Sequence, residues 1–235
     1  MKLKKYVIAA LSILAIGQAS AADTAVFAGV SAANNSTFGY IGGVKAMNGD
    51  LSKSGVLLRG MLSYGEYDYG TTAVTGGKVD GDAIGAELGI GYQWVNPGNR
   101  FSLYGGIDHQ DHDLSPNDNS NDVRGTKTGA AVQAEVETLG SPWYGALLGK
   151  YSTAYDSYWV RGRVGYAFGN VTIGPEVILG GNKEYDESRY GLFLNTSISK
   201  SLSLSLSAGQ REAEGNNARD DQTSGYVGVS ITASF

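Results

Sequence analysis

Over the last eleven residues, Gly225-Tyr-Val-Gly-Val-Ser-Ile-Thr-Ala-Ser-Phe235, apolar side chains fall at every second position, namely Val227, Val229, Ile231 and Ala233, and the segment ends on Phe235. A period of two sends successive side chains to opposite faces of a sheet. The same alternation is clearest over residues 82–95. Ile84, Ala86, Leu88, Ile90, Tyr92 and Trp94 occupy the even positions, whereas Gly85, Glu87, Gly91 and Gln93 occupy the odd ones. One face is apolar and ends in two aromatics; the other carries a carboxylate and an amide. An alternating strand of about ten residues crosses a hydrocarbon layer only inside a closed barrel, because an open edge there strands its backbone N–H and C=O groups. The apolar face is therefore expected on the lipid side and the polar face in the lumen, the reverse of a soluble barrel.

Alternating segments of this kind are centred near residues 27, 41, 61, 87, 105, 132, 148, 163, 176, 194, 206 and 230. Turn chemistry at Asn96-Pro-Gly-Asn99, Gly140-Ser-Pro142, Gly169-Asn170 and Ser199-Lys-Ser201 closes every second connection tightly. Longer polar stretches at residues 69–79, 111–123, 182–188 and 212–224 lie between them. Short turns at one rim and long loops at the other predict an all-β fold. It is a single transmembrane antiparallel up-and-down β-barrel of about 12 strands, with periplasmic turns, extracellular loops and both termini in the periplasm. The Asn34-Asn35 and Asp156-Ser157 connections are short for extracellular loops, which leaves ten strands as the alternative count. A soluble sandwich or lipocalin-like barrel is the competing fold for a chain of this size.

The start of the chain changes the expected location. Lys2, Lys4 and Lys5 precede an apolar stretch from Tyr6 to Gly17 and the small-residue site Ala19-Ser20-Ala21, which reads as a secretory signal peptide over residues 1–21, leaving the barrel to residues 22–235. Its removal takes 18 basic residues down to 15 against 23 acidic ones, a net charge of −8. That balance argues against nucleic acid as a partner. There is no cysteine, hence neither a disulfide framework nor a lipidated cysteine. No run of eighteen apolar residues follows the signal peptide, so no helix is expected to span. Tyrosine, at 15 residues the commonest aromatic, suits the interfacial girdles of a barrel.

Particular strings also carry a resemblance. They are Gly106-Ile-Asp-His-Gln-Asp-His-Asp-Leu-Ser-Pro-Asn-Asp118 with Val123-Arg-Gly125, then Tyr151-Ser-Thr-Ala-Tyr-Asp-Ser-Tyr-Trp159, and Gly174-Pro-Glu-Val177. In these the chain resembles the BcsS-type cellulose biosynthesis proteins, outer-membrane barrels of alphaproteobacteria, and weaker similarity runs from Val26 through Asn48-Gly-Asp50 to the C-terminus. It departs at His109, where an aromatic is expected, and in its short polar segment at residues 212–224. The resemblance implies the bacterial outer membrane as location and a role in making, exporting or anchoring cellulose (a β-glucan). Outer-membrane lipid, lipopolysaccharide and periplasmic cellulose-synthase components are the partners that go with such a role. It supplies no catalytic residue.

For the residues themselves, the lumen is where chemistry is expected. A two-residue hairpin at Gly169-Asn170 pairs Phe168 with Val171 and brings Arg163 opposite Glu176. Continuing through a turn at Asp156-Ser157 sets Lys150 beside Arg163 and Ser152 beside Arg161. The expected patch is Lys150, Arg161, Arg163 and Glu176, with Trp159 above it towards the extracellular mouth. Pro175 argues for a bulge, since it cannot donate to the ladder. With Glu87 and Glu135 these charges read first as a structural ion-pair network filling a narrow barrel. The functional reading is a basic track that guides a saccharide, whose C–H face packs on Trp159 while its hydroxyls bond the charged groups. Trp94, Phe101, Trp143, Tyr158, Tyr166 and Phe168 fall on outward positions near strand ends and read as girdle anchors.

An outer-membrane hydrolase is the enzymatic alternative, resting on Asp108, His109, His112, Asp113 and Ser115. Asp108 and His109 point to opposite faces of a regular strand, however, and no Gly-x-Ser-x-Gly elbow is present. The acidic residues 113–122 lack the spacing and glycine of a calcium loop and read as a solvated loop. No nucleotide, zinc or haem motif is visible, so no cofactor or metal is expected. A nonenzymatic barrel in cellulose export or anchoring is the reading the sequence favours, followed by a narrow channel for small or oligomeric saccharides.

Overall fold

The computed structural model describes residues 22–215 and 221–235, and the expected signal peptide lies outside the described residues. The expected alternation becomes twelve strands: β1 (Thr24–Ala33), β2 (Ser36–Ala46), β3 (Gly55–Gly70), β4 (Lys78–Asn96), β5 (Asn99–Ser115), β6 (Gly125–Thr138), β7 (Trp143–Ser152), β8 (Ser157–Phe168), β9 (Val171–Asn182), β10 (Tyr185–Ser197), β11 (Leu202–Gly215) and β12 (Gln222–Ser234). Each pairs antiparallel with its sequence neighbours, and β1 closes on β12, giving an up-and-down barrel. Every expected centre falls inside a strand, so the count is twelve rather than ten. Closure is completed at the rim that holds the tight turns. There the amides of Asp23 and Thr24 donate to the carbonyl of Phe235, and the Phe235 amide donates back to Thr24 at 2.9 Å.

The outer surface follows the period of two. On β4, Ile84, Leu88, Ile90, Tyr92 and Trp94 are exposed to the outside while Gln93 is buried within. At the inner rim Trp94 meets Phe101, and Tyr166 meets both Trp143 and Phe168, so the girdle aromatics form connected clusters. Tyr158 stands at the opposite end, where its hydroxyl donates to Asp186 at 2.7 Å.

The polar stretches expected as long loops are shortened, because strand runs into them from their ends. β3, β4 and β5 run for 16, 19 and 17 residues, well beyond the nine to eleven or so that cross a bilayer. Above the apolar band their outward positions turn polar, through Glu66, Asp68, Asp80, Asp82, Asp111 and Asp113, yet the ladder continues across them. Backbone pairing needs no apolar face once water is available on the outside. Residues 182–188 shrink likewise, leaving only Lys183-Glu184 between β9 and β10.

Two connections turn into the barrel. At the inner rim, residues 47–54 tuck beneath β4 and β5: Gln93 Nε2 donates to the carbonyls of Leu51 (2.9 Å) and Lys53 (2.5 Å), and Leu51 packs on Ala46, Leu57 and Tyr104. Asp50 fixes the turn by accepting from the Ser52 hydroxyl (2.6 Å), the Ser52 amide (2.8 Å) and Lys53 (3.0 Å); these bonds pull its carboxyl down to about 2. At the outer rim, residues 116–124 cross the mouth. They are tied to β3 by Tyr69 donating to Asp118 (2.9 Å) and Asn121 donating to Tyr69 (2.9 Å), and to the β9–β10 turn by the Asp122 amide donating to Glu184 (2.5 Å). β3 and β9 lie on opposite sides of the ring of strands. Asp118, expected in a solvated loop, is fully buried within this crossing segment.

Candidate functional site

Between these two inturned segments lies a cavity of about 1030 Å³, lined from Ser52, Gln93 and Arg100 at the inner rim to Tyr69, Asn121 and Glu184 at the outer. Its walls are the inward positions of the strands. Several large aromatics that enter lie over a glycine: Phe27 over Gly42, Tyr104 over Gly91 and Trp159 over Gly180 on the adjacent strand, and Phe193 over Gly165 two strands away. A side chain on those glycines would collide with the ring, so the large and the absent side chain share one volume.

Part of the expected register holds. Phe168 pairs with Val171 and Arg163 with Glu176, and Arg163 Nε donates to the Glu176 carboxylate. Pro175 does not shift the pairing. The β8–β9 ladder omits Val164 and Gly165, resumes at Tyr166 and Ile173 in the same register, and so absorbs the missing donor locally. The β7–β8 register differs from expectation. Residues 153–156 form the turn, Ser152 pairs with Ser157, and Lys150 therefore faces Trp159 rather than Arg163, while Arg161 faces Leu148. The cause is local backbone conformation: Tyr155 and Asp156 both take positive φ, 56° and 51°, which a reading of Asp156-Ser157 as the turn does not anticipate. Buried Tyr155 holds that conformation through its hydroxyl, which donates to the carbonyls of Arg124 (2.9 Å) and Gly125 (2.6 Å). Burial, and after it the charge of Asp111, raise the pKa of that phenol and so keep it a donor.

The single patch expected from sequence thus divides into separate networks. Glu87 takes Arg59 at 3.1 Å and also Lys150, whose ammonium lies 3.8 Å from Asp108. Glu176 takes Arg163 on one oxygen and the Tyr226 hydroxyl on the other at 3.1 Å, and Arg163 reaches on to Ser205 at 3.1 Å and lies over the Phe193 ring. Glu187 is clamped by Arg189 (2.8 Å) and Arg211 (2.5 Å), with Arg189 also donating to Ser31 and Arg211 to Asn35. Trp159 belongs to this last group, with the Arg189 guanidinium 5.3 Å from its ring centre. Glu135 accepts from Gln133 at 2.5 Å. Arg59, Glu187, Arg189, Arg211 and Tyr226 were absent from the expected site. Glu187 and Arg189 share one face at a spacing of two, but that signal is lost once residues 182–188 are read as loop.

The hydrolase set does not assemble. Asp108 and His112 face inward, whereas His109 faces outward and bonds Thr128 at 2.8 Å. His112 meets Tyr67 (3.2 Å) and Gln110 (3.3 Å), and Gln110 in turn donates to Asp108 (2.7 Å) and Ser157 (3.0 Å). Asp113 and Ser115 share the outward face of β5 with His109 and are likewise exposed.

Among solved structures the chain is similar to the KdgM porin, with 11% identity over 90% of this chain and 99% of that one and a TM-score of 0.47. It is similar also to LpxR from Salmonella typhimurium, with 12% identity over 90% and 100% of the two chains and a TM-score of 0.49. The β domain of the Bordetella autotransporter Brka is a third, with 13% identity over 90% and 98% and a TM-score of 0.45. No curated protein sequence matches. A family model described as "Cellulose biosynthesis protein BcsS" matches residues 25–235, and with nearly the whole barrel covered, this chain belongs to the BcsS family of cellulose biosynthesis proteins.

Proposed function

We propose that this chain is an outer-membrane barrel that serves cellulose biosynthesis nonenzymatically, by guiding or anchoring the glucan at the cell surface. The observation that carries the reading is the lumen. It is a cavity of about 1030 Å³ reaching towards both rims and lined by apolar and polar groups together, in which most charges are spent on one another and hydrogen-bonding edges and aromatic rings remain. Such a lining suits a neutral polyhydroxylated chain, whose C–H faces need apolar contact and whose hydroxyls both donate and accept. Family membership supports the cellulose context, and the division of Asp108, His109, His112, Asp113 and Ser115 between two faces of β5 weighs against the hydrolase. Outer-membrane lipid and lipopolysaccharide would meet the apolar band and the polar strand extensions. Periplasmic cellulose-synthase components would meet the rim that carries the termini and residues 47–54.

A second reading, a narrow channel for small or oligomeric saccharides, is favoured by the extent of the cavity from rim to rim. Deleting the gene tests the primary reading. Surface-retained cellulose should fall and return on complementation, with the protein recovered in the outer-membrane fraction as a heat-modifiable band. Unchanged surface cellulose together with lost uptake of oligosaccharides would favour the channel instead.

A further inference from the structure

The arginines of the cavity wall are paired with carboxylates, Arg59 with Glu87, Arg100 with Glu137, Arg163 with Glu176, and Arg189 and Arg211 with Glu187. Arg161 has no such partner among the described residues. Among those residues one carboxylate on an inward strand position, Glu135, likewise lacks a cation and is bonded only by Gln133. The two unmatched charges stand at one level of the barrel. Glu135 pairs with Leu148 and Leu148 with Arg161, so they flank a single apolar side chain at two strand spacings, roughly 10 Å between Cα atoms. On the next level towards the outer mouth, Lys150 pairs with Trp159, and beyond Arg161 on its own level stands buried Ile178.

An isolated charge inside a barrel whose other charges are matched is costly, and long side chains at this spacing have the reach to meet. Their separation leaves a slot with an apolar floor, an acceptor at one end and a forked donor at the other. We propose that Glu135, Leu148 and Arg161 form a subsite for one pyranose unit of a neutral glucan. The sugar's C–H face lies on Leu148, one hydroxyl donates to Glu135, and another accepts from the Arg161 guanidinium. The charges of the slot cancel, which fits a neutral ligand, and the two strand spacings between the Cα atoms leave room for a sugar ring hydrogen-bonded at each end. This subsite rests on the saccharide reading given above and assigns it to particular atoms.

Calorimetric titration of the purified barrel in micelles with cellopentaose tests it, using wild type, Glu135→Gln, Arg161→Gln and Arg161→Lys, each first checked for a heat-modifiable band. Glu135→Gln and Arg161→Gln should each weaken binding roughly tenfold or more, since each replaces a charged hydrogen-bonding group. Arg161→Lys, which keeps the charge but loses the fork, should fall between. Tight binding by wild type that all three variants retain would reject the subsite while leaving the saccharide reading intact. No binding by wild type would overturn the subsite whatever the cellulose phenotype of a deletion strain. A zwitterion such as 6-aminohexanoate binding in preference to cellopentaose would overturn the assignment of a neutral glucan.

Discussion

The indole of Trp159 lies across Gly180, its cross-strand partner on β9, so closely that a β-carbon on residue 180 would stand 2.7 Å from Cε3. That contact sets where the ring sits, against the wall and within 5.3 Å of the Arg189 guanidinium, instead of projecting across the lumen. Gly180→Val should therefore push the ring off the wall and away from Arg189. Overpacking of this kind costs about 1–3 kcal/mol, read as an earlier midpoint of urea unfolding in micelles, with Trp159 fluorescence shifting in the folded protein. An unchanged midpoint and unchanged emission would show that the wall has room to spare.

The pair Arg163 and Glu176 tests how the lumen charges contribute. Both side chains are nearly inaccessible, at 9% and 0% exposure. Glu176→Ala leaves the guanidinium buried and the Tyr226 hydroxyl without its acceptor, and should destabilise the barrel by about 3–5 kcal/mol. The half-exposed pair Arg100 and Glu137 is the control, because Glu137→Ala should cost no more than about 1 kcal/mol. Equal losses would mean that burial does not govern these pairs.

Residues 116–124 should act as the outer constriction. Two of their ties run through phenol hydroxyls, Tyr69 to Asp118 and Tyr155 to the carbonyls of Arg124 and Gly125. Tyr69→Phe combined with Tyr155→Phe removes those bonds and keeps the rings, so single-channel conductance in planar bilayers should rise above that of wild type. Arg163→Ala should change ion selectivity in the same assay by removing a charge from the lumen. Conductance equal in all three proteins would place the constriction elsewhere.

The inner loop has a pH signature. Ser52 and Lys53 hold the Asp50 carboxyl at about 2, below its ordinary 3.8, so the folded loop favours the charged form. The stabilisation is complete above the unfolded value and is lost as pH falls towards 2. Amide exchange at Leu51 and Ser52, corrected for intrinsic pH dependence, should be flat from pH 8 to pH 5 and quicken below pH 4. Asp50→Asn should abolish that acid step; its persistence in the variant would assign the step to another group.

Much of the barrel was legible because lipid enforces one rule on every strand. Outward positions such as Ile84, Leu88 and Ile90 must be apolar, so the period of two is written plainly and all the strand centres follow from it. The β8–β9 register was legible too, because Gly169-Asn170 is a turn whose chemistry sets its length, with Gly169 at a φ of 65°. The β7–β8 register was hidden, since positive φ at Tyr155 and Asp156 is imposed by burial of the Tyr155 ring and by its bonds to Arg124 and Gly125. The lumen contacts between strands that are not neighbours were hidden for a different reason. Glu87 on β4 meets Lys150 on β7, and Glu176 on β9 meets Tyr226 on β12, contacts across strands that are not neighbours. They depend on how the closed barrel brings its walls together, which no local pattern records.

Surface-retained cellulose, measured in a deletion strain carrying lumen variants at equal levels of folded barrel, tests the central claim most directly. Trp159→Ala should lower it, because the indole offers the lumen an aromatic face that alanine lacks. His112→Ala and Ser115→Ala should leave it near wild type. Cellulose unchanged by Trp159→Ala, with a glycan, lipid or peptide hydrolysis lost in His112→Ala, would contradict the account and make this barrel a hydrolase.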